Sequence, residues 1–265
     1  MHDIAFIGGG NMARSLIGGL IKSGAPAASI RVADPVLEPL APLGVRATQD
    51  NATAAQGAAV IVLAVKPQVM ETACRSIAGA LAPDSAPLVV SIAAGTTIAN
   101  IERWLGRAHA VVRCMPNTPA LLGVGATGMC ANARVSTAQR ASAERLLTAV
   151  GTVEWIDDEA LMDAVTALSG SGPAYYFMLI EQMTLAAVGL GLPEASARRL
   201  AVQTALGAAR MAAESGVDPA ELRRRVTSPG GTTAAALASF ERDALAAIVA
   251  RALTAARDRG RELAE

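Results

Sequence analysis

Short apolar segments alternate with longer helical patterns through the first part of the chain, up to about Val153. The apolar segments are IAFIG, IRVAD, AVIVLAV, PLVVSIA and HAVVRCM, and the stretches between them place apolar residues at helical spacing. Strands that alternate with helices predict a parallel sheet with helices on both faces, because parallel neighbours must be joined by a crossover. We therefore predict a Rossmann-type, doubly wound parallel sheet over residues 1–158.

The pattern changes after Asp157. From Glu159 onward, Ala, Leu, Arg and Glu recur at helical spacing, interrupted by SGSGP, GLGLPE, SGVDP and TSPGGTT, and no further strand is indicated. We predict an all-α domain over residues 159–265, so that the chain is an α/β protein of two domains. The Ala- and Leu-rich helices make a thin core on their own, and burial against a second copy predicts a homo-oligomer.

Composition limits the partners of the chain. Its 265 residues are 52% hydrophobic and 17% charged with a formal net charge of zero, which is typical of a compact soluble protein and leaves no field to attract nucleic acid. Arg223, Arg224 and Arg225 form the only dense basic run, which we interpret as a solvated helix face rather than a phosphate site. We expect a small-molecule substrate and no nucleic-acid partner.

Cysteine usage and hydropathy favour a cytoplasmic protein without a membrane span. The three cysteines form no CxxC pair and have no clustered histidine, which favours reduced thiols, with Cys114 as a buried packing residue, and argues against a metal site. The N-terminal MHDIAFIGGG lacks the features of a secretory signal. The most apolar segment, residues 173–192, contains Glu181 and Gln182, so we expect a buried helix or subunit interface there.

The sequence IAFIGGGNMA, residues 4–13, carries a dinucleotide-binding fingerprint. Gly8 and Gly10 take the first two glycine positions, and Ala13 takes the third, where a small residue is accepted. Glycines are needed because a side chain would keep a pyrophosphate away from the amides at the start of the helix. The preceding strand and the following amphipathic helix supply the context that the motif requires. We predict cofactor contacts at Gly8, Gly10, Asn11, Met12 and Ala13.

The ends of the next two strong strands add candidate cofactor residues. Asp34 follows the second strand, where a carboxylate accepts hydrogen bonds from the ribose 2′-hydroxyl of NAD and repels the 2′-phosphate of NADP; this favours NADH. Capping of a turn before Pro35 explains Asp34 equally well. Ligands collect at the carboxyl edge of open sheets, so we also predict cofactor contacts in AVKP, at Ala64, Val65, Lys66 and Pro67. For Lys66, the alternative is a loop lysine without a role in binding.

The second half of the chain lacks two residue types that often serve as general acids. The only lysines are Lys22 and Lys66, and the only histidines are His2 and His109. A dehydrogenase that acts on an alcohol or ketone usually needs such a group to exchange the hydroxyl proton. A protonated imine is already electrophilic at carbon, so this deficit favours an imine as substrate.

Five motifs occur in the order found in the pyrroline-5-carboxylate reductase family: FIGGGNMA, AVKP, RCMPNTPA, SGSGPAY and VTSPGGTT. The chain resembles that family over essentially its whole length. The resemblance implies a Rossmann domain followed by a helical dimerisation domain, and reduction of 1-pyrroline-5-carboxylate to L-proline with NADPH or NADH. It also implies intertwined dimers, with a decamer as a further assembly. Members of the family usually prefer NADPH, so Asp34 departs from the residue expected there.

The segment TSPGGTT then has a physical explanation. If a helix begins near Thr232, the amides of Gly230, Gly231 and Thr232 are unpaired donors at the positive end of its dipole. They form an anion site for the substrate carboxylate, and the hydroxyls of Ser228, Thr232 and Thr233 add donors. The resemblance implies that Thr233 lies nearest the ring nitrogen, which makes it the predicted catalytic residue, orienting and polarising the imine. A loop that only caps a helix is the alternative.

Two further loops complete the predicted site. The prolines of CMPNTPA rigidify a loop where the nicotinamide is expected, so Met115 and Asn117 are predicted cofactor contacts. The Asn117 amide holds either the cofactor or neighbouring loops, and a structural turn is the alternative. A helix starting at Pro173 would turn its N-terminus, with Ser171, toward the cleft; the alternative is that the segment simply starts the long apolar helix. The resemblance adds Asn51 near the adenine-side ribose.

Two other functions fit parts of the pattern. A β-hydroxyacid dehydrogenase shares the succession of a Rossmann domain and an all-helical domain, but that family uses a lysine in its helical half, and no lysine follows Lys66. A catalytically silent NAD(P)-binding regulator with a helical dimerisation module is the second alternative. The intact TSPGGTT and SGSGP segments count against it.

Overall fold

The computed structural model describes residues 3–81 and 87–262. Its strands are β1 (Ile4–Ile7), β2 (Ile30–Ala33), β3 (Arg46–Thr48), β4 (Val60–Leu63), β5 (Leu88–Ser91), β6 (Ala110–Met115), β7 (Gly125–Ala131) and β8 (Gly151–Trp155). Its α-helices are α1 (Asn11–Lys22), α2 (Asn51–Ala55), α3 (Met70–Ala78), α4 (Ile98–Leu105), α5 (Thr137–Thr148), α6 (Met162–Val165), α7 (Gly172–Gly189), α8 (Glu194–Glu214), α9 (Pro219–Arg225), α10 (Thr232–Arg242) and α11 (Leu245–Glu262).

The strands of the described residues join one sheet in the order β3-β2-β1-β4-β5-β6-β7-β8. Neighbouring strands are parallel except for the antiparallel pair β6 and β7. The prediction of a doubly wound, Rossmann-type sheet followed by helices is confirmed. The strand order reverses between β1 and β4, and ligands of open α/β sheets bind at that point, outside the carboxyl ends of the strands.

Strands β1 and β4, at the centre of the sheet, are apolar along their whole length because helices cover both faces there. Every residue of β1 is buried. Phe6 belongs to the core cluster that contains residues of α1 and α5, whereas its neighbour Ile7 belongs to the cluster with α2, α3 and α4. Helix α1 covers its face with an apolar stripe at helical spacing, formed by Ala13, Leu16, Ile17 and Leu20.

Three strands carried no clear signal in the sequence. Strand β3 is short and largely exposed, and β8 alternates between half-buried and exposed residues. Strand β7 has the glycine-rich sequence GATGMCA. Glycine is required where β7 and β8 pair, because a Cβ on Gly151 would lie 2.0 Å from the carbonyl oxygen of Gly125.

The chain divides into two compact units. The sheet unit comprises the residues up to Ser171 together with the C-terminal segment that begins at Ala256, and the helical unit is Gly172–Ala255. The domain boundary after Asp158 stays a prediction, and its outer limits at residues 1 and 265 lie outside the described residues.

The helical unit buries little of its own apolar surface. Among its described residues, the hydrophobic side chains that are fully buried are those of Ala197 and Ala201. Helix α7 exposes large apolar side chains on several sides, including Tyr176, Phe177, Met178, Leu179, Met183 and Leu185. No helix within the described ranges combines the length and the apolarity needed to cross a bilayer.

Candidate active site

The loop from Gly8 to Gly10 joins β1 to α1 and admits only glycine at its first position. Gly8 has a φ of +102°, and a Cβ there would lie 2.7 Å from the carbonyl oxygen of Ala64. A Cβ on Gly10 would meet nothing within 4 Å. The loop is therefore packed tightly on the side of β4 and open on the side where a ligand would approach.

The start of α1 supplies free backbone donors. The first backbone amide of α1 that makes a helix-type hydrogen bond is that of Arg14, which donates to the carbonyl of the N-cap Gly10 at 3.0 Å. The amides of Asn11, Met12 and Ala13 donate to no described residue, and the N-cap Gly10 offers no side chain. A diphosphate fits such a cradle, because three donors and the positive end of the helix dipole face an open surface. Ala13 itself is buried, Met12 is half-buried and Asn11 is exposed.

Asp34 is bound to the glycine loop rather than free. Its Oδ2 accepts a hydrogen bond from the backbone N–H of Gly9 at 2.7 Å, and its Oδ1 accepts one from Val36 at 2.9 Å. The second bond is the turn cap that the sequence offered as one explanation. Each carboxylate oxygen keeps a lone pair for another donor, so contact with a ribose hydroxyl stays a prediction. Gly9 was missed from the sequence, where the third consecutive glycine was its only signal.

The residues after β4 lie beside this loop at the carboxyl edge of the sheet. Strand β4 pairs with β1 up to Ile7 and Leu63, and the Ala64 amide continues the pairing to the Ile7 carbonyl at 2.8 Å. Ala64 and Val65 are half-buried, whereas Lys66 and Pro67 are exposed.

Asn51 lies at the start of α2, and its side chain ties this helix to the next. Its Nδ2 donates to the hydroxyl of Ser76 in α3 at 2.9 Å. A cofactor contact by Asn51 would use its side-chain oxygen, or its Nδ2 after the hydrogen bond to Ser76 is given up. The contact stays a prediction.

Asn117 holds loops together. Its Nδ2 donates to the carbonyl of Ser169 at 3.0 Å, and its Oδ1 accepts from the amide of Ala126 at 2.9 Å. The side chain is 9% exposed, and this geometry matches the loop-holding alternative. Met115 ends β6 and is half-buried. Its Cε lies against Gly170, where a Cβ would come within 2.5 Å of it.

A partly buried ion cluster, which sequence reasoning missed, lies around β6. Arg113 is 5% exposed; it bonds Glu159 at 3.1 Å and lies 3.7 Å from Asp163. The same Glu159 oxygen accepts from the amide of Ile98 at the start of α4, at 2.8 Å. Arg261 in the last helix lies 3.9 Å from Asp163. The signal for this cluster was a single arginine in the otherwise apolar strand AVVRCM.

The three cysteine thiols are buried packing groups. Cys74, Cys114 and Cys130 are free and buried. Burial raises the pKa of the Cys74 thiol to about 12, and it raises the pKa of Cys114 far above its usual range, with Cys130 as a second cause. The packing role predicted for Cys114 agrees with this environment. Within the described ranges, no group of three or more His, Cys, Asp or Glu side chains is placed to hold a metal ion.

The loop before α10 is the candidate anion site of the helical unit. Helix α10 begins at Thr232, as predicted, with Gly231 as its N-cap. Gly230 has a φ of +70°, and a Cβ on Gly231 would lie 2.4 Å from the hydroxyl of Ser228. Gly230 is therefore required by the backbone of the loop, whereas Gly231 has an ordinary φ of −82° and is limited by the Ser228 side chain.

One donor predicted for this loop is already paired. The amide of Gly231 donates to the Ser228 carbonyl at 3.1 Å, because the turn closes on itself, so the prediction of a free Gly231 amide is wrong. The amides of Gly230, Thr232 and Thr233 bond to no described residue, and neither do the hydroxyls of Ser228, Thr232 and Thr233. Thr233 is half-buried, whereas Thr232 and Ser228 are exposed.

Ser171 does not stand before a free helix N-terminus, contrary to the prediction. Residues Thr166–Gly170 form a π-helical turn, and the Ser171 amide donates back to the Thr166 carbonyl at 2.8 Å. Ser171 itself has helical angles, and α7 starts at the next residue. The chain thus keeps helical geometry through SGSGP, since the wider turn pairs the amide that a helix start would have left free.

The comparisons with known proteins agree over the whole chain. Residues 159–263 match a family model described as pyrroline-5-carboxylate reductase dimerisation, and residues 3–95 match one described as NADP oxidoreductase coenzyme F420-dependent. The chain is 56% identical to pyrroline-5-carboxylate reductase of Pseudomonas aeruginosa, with 99% of this chain and 97% of the relative covered. It is 43% identical to that of Haemophilus influenzae, with 98% and 97% covered.

Two solved structures have the same fold. A pyrroline-5-carboxylate reductase from Coxiella burnetii superposes with a TM-score of 0.96 at 44% identity, covering 100% of this chain and 99% of that one. The pyrroline carboxylate reductase of Plasmodium falciparum with NADP bound gives a TM-score of 0.88 at 29% identity, with 100% and 98% covered.

Proposed function

The chain belongs to the pyrroline-5-carboxylate reductase family, and from that premise we propose how its residues carry out the reaction. It is an NAD(P)H-dependent oxidoreductase that reduces 1-pyrroline-5-carboxylate to proline. The β-hydroxyacid dehydrogenase and the silent regulator are thereby set aside. When bound, the reduced nicotinamide cofactor supplies the hydride that the imine carbon accepts.

The sheet unit holds the cofactor. The free amides of Asn11, Met12 and Ala13 receive the diphosphate, and Gly8 and Gly10 let it approach the backbone. The residues after β4 and the end of β6 flank the same carboxyl edge of the sheet. In this proposal Asn117 acts indirectly, by fixing the loop after β6 through its two hydrogen bonds.

The observation that carries the substrate proposal is the unpaired start of α10. The amides of Thr232 and Thr233 point from the positive end of a helix, and the two preceding glycines leave the backbone accessible. The substrate carries a carboxylate on a small ring, so these amides and the Ser228 hydroxyl fix the carboxylate. Ser171 stays a candidate contact, through its hydroxyl rather than through a helix terminus.

Thr233 orients the imine. Its hydroxyl is half-buried and makes no hydrogen bond to a described residue, so it is available to the ring nitrogen. Residues 172–255 contain neither lysine nor histidine, and a substrate that carries its own proton on the imine needs no such acid. The role of Thr233 is positioning and polarisation.

The test is the initial rate of 1-pyrroline-5-carboxylate reduction by Thr233→Ala. We expect turnover to fall by about 10- to 1000-fold with cofactor binding unchanged. Thr227→Ala is the matched control, because the Thr227 hydroxyl donates to the Arg223 carbonyl in α9 and takes no part in the proposed site. Equal rates for the two variants would contradict the assignment of Thr233.

We also propose that the functional unit is a homodimer formed through the helical unit. The family model that matches residues 159–263 is a dimerisation domain, and the exposed apolar faces of α7 are far larger than isolated surface side chains would be. A decamer of such dimers is the larger assembly to test by light scattering. A cytoplasmic location stays the prediction made from the three unpaired cysteines.

A further inference from the structure

We infer that Asp34 makes this chain select NADH over NADPH, because backbone hydrogen bonds fix its carboxylate where the 2′-phosphate of NADPH would lie. The inference rests on the cofactor site proposed above. It concerns which of the two cofactors that site takes.

The position of Asp34 follows from strand pairing. Strand β2 pairs with β1 up to Ala33 and Ile7, and Asp34 is the first residue after β2. The Asp34 amide donates to the Thr48 carbonyl of β3 at 3.1 Å, which fixes its backbone as well. An acidic residue one strand away from the glycine loop is placed to meet the ribose of a dinucleotide whose diphosphate lies on that loop.

The carboxylate cannot swing away to admit a phosphate. Its two oxygens accept from Gly9 and from Val36 at 2.7 and 2.9 Å. Gly9 is buried, and a Cβ there would lie 3.0 Å from Leu40 and 3.2 Å from the Cβ of Asp34. Rotation of the Asp34 side chain would leave a buried backbone donor without a partner. The carboxylate and the glycine loop are therefore one rigid element.

Among the described residues, no cation is placed to neutralise a 2′-phosphate there. Between Asp34 and Gln56 the only basic residue is Arg46. It pairs in register with Arg31, and both lie toward the N-terminal ends of β3 and β2, whereas Asp34 follows the C-terminal end of β2. Arg31 is directed to the Gln56 carbonyl. The remaining cations of the edge lie elsewhere: Arg14 bonds Asn11 in the first turn of α1, and Lys66 follows β4, on the other side of β1.

The nearby side chains add negative charge instead. Glu38 follows Asp34 by four residues, and Asp50 caps α2 just after β3. Hydrogen bonds from Thr53 and Ala52 lower the pKa of Asp50, so that it is ionised at neutral pH. A phosphate with a charge near −2 would enter an anionic edge, whereas the neutral ribose diol of NADH finds an acceptor in Asp34.

Equilibrium binding of NADH and of NADPH to the full chain tests this without turnover. The fluorescence of the bound nicotinamide gives both dissociation constants for the wild type and for Asp34→Asn, which keeps the shape and one acceptor oxygen but loses the charge. We expect the wild type to bind NADH at least about 10-fold more tightly than NADPH, less so at high salt, and Asp34→Asn to shift the ratio about 10-fold toward NADPH.

Asp50→Asn is the matched control, because it removes a carboxylate from the neighbouring strand end without touching the glycine loop, and we expect it to shift the ratio toward NADPH by about 2-fold at most. A wild type that prefers NADPH, or a ratio that is the same in Asp34→Asn, overturns the inference. Absence of binding by either cofactor would instead refute the proposed cofactor site, and the inference with it. A salt-independent preference would show that charge is not its cause.

Discussion

The two glycine-rich loops of this chain begin helices in the same way but differ in how much of the protein holds them. The loop Gly8–Gly10 is enclosed by Ala64, Leu40 and Asp34, which come from three separate segments of the sheet unit. In the loop before α10, a Cβ on Gly230 would meet nothing within 4 Å, and one on Gly231 would meet only Ser228. The cofactor loop is therefore preformed by long-range contacts, whereas the substrate loop is shaped by its own sequence alone.

This difference matches the two units as a whole. Most residues with fully buried apolar side chains lie in the sheet unit, and most large apolar side chains that are exposed lie in the helical unit. A unit with its own core can bind a ligand by itself, but a unit that exposes its apolar faces depends on a partner for its stability. Each of the following changes tests one side of this contrast.

Gly8→Ala should have the largest effect. The added Cβ meets the Ala64 carbonyl and the φ of +102° disfavours any side chain, so we expect a loss of about 3 kcal/mol in unfolding free energy and of at least about 100-fold in cofactor affinity. Denaturant unfolding and fluorescence titration measure these. Gly10→Ala is the control for the fold, since its Cβ meets nothing. Gly10→Ala should weaken cofactor binding while its unfolding free energy stays within about 1 kcal/mol of the wild type. Equal destabilisation by the two variants would contradict the long-range packing of the cofactor loop at Gly8.

The double variant Met178→Glu/Leu185→Glu should break the assembly. The two residues lie two turns apart on α7 and are 59% and 58% exposed in the isolated chain. Two glutamates at these positions oppose burial of this face against a second copy, because each charge would lose its hydration. We expect the mass from light scattering to fall to that of one chain and turnover to fall about 100-fold, with cofactor affinity within about 3-fold.

Thr148→Glu, on the exposed side of α5 in the sheet unit, is the control for added charge and should keep the mass of the wild type. A double variant that also keeps wild-type mass and turnover would show that the apolar side of α7 is not an interface.

Gly231→Ala should have an intermediate effect. Its Cβ would contact the flexible hydroxyl of Ser228, which can rotate away, so the loop distorts without unfolding. We expect KM for 1-pyrroline-5-carboxylate to rise about 10-fold, and the affinity for the cofactor to stay unchanged because its loop belongs to the other unit. Steady-state kinetics, with 1-pyrroline-5-carboxylate varied in one series and the cofactor in another, measures the two KM values separately. A matching rise in the KM for the cofactor would show that the two loops are not independent.

Glu221→Gln should have the smallest effect. Hydrogen bonds from Arg225, and then from Arg224, lower the pKa of Glu221. A lowered carboxyl pKa stabilises the fold above the unfolded value of about 4.3, and this contribution disappears as the pH falls through the folded pKa. The variant should melt slightly below the wild type at pH 7, and the difference should shrink as the pH falls below the unfolded value of about 4.3. A changed substrate KM would show that α9 helps to shape the loop.

The sequence was sufficient for features that depend on local pattern. The buried strands were predicted because an apolar segment of that length must be covered on both faces, and the glycine loop because its spacing follows from the backbone that it needs. The start of α10 at Thr232 was also predicted, since two glycines and a pair of threonines are a strong signal for a helix N-terminus.

Features that depend on distant partners could not be predicted. Asn117 and Ser169 are 52 residues apart, and Arg113 and Glu159 are 46 apart, so no local pattern brings them together. The prediction of a free Gly231 amide failed because the turn that pairs it is visible only in the backbone. The prediction for Ser171 failed because glycine and serine usually end a helix, whereas here a π turn continues it.

The C-terminal segment from Ala256 belongs to the sheet unit, although residues 172–255 form the other unit. During synthesis, the sheet can begin to form once β8 has left the ribosome, but the Arg261 that lies beside Asp163 is added about 100 residues later, after the whole helical unit. The nascent chain therefore exposes the apolar helices α7 and α8 before the first unit has received its last part. We expect the risk of aggregation to be highest in that interval.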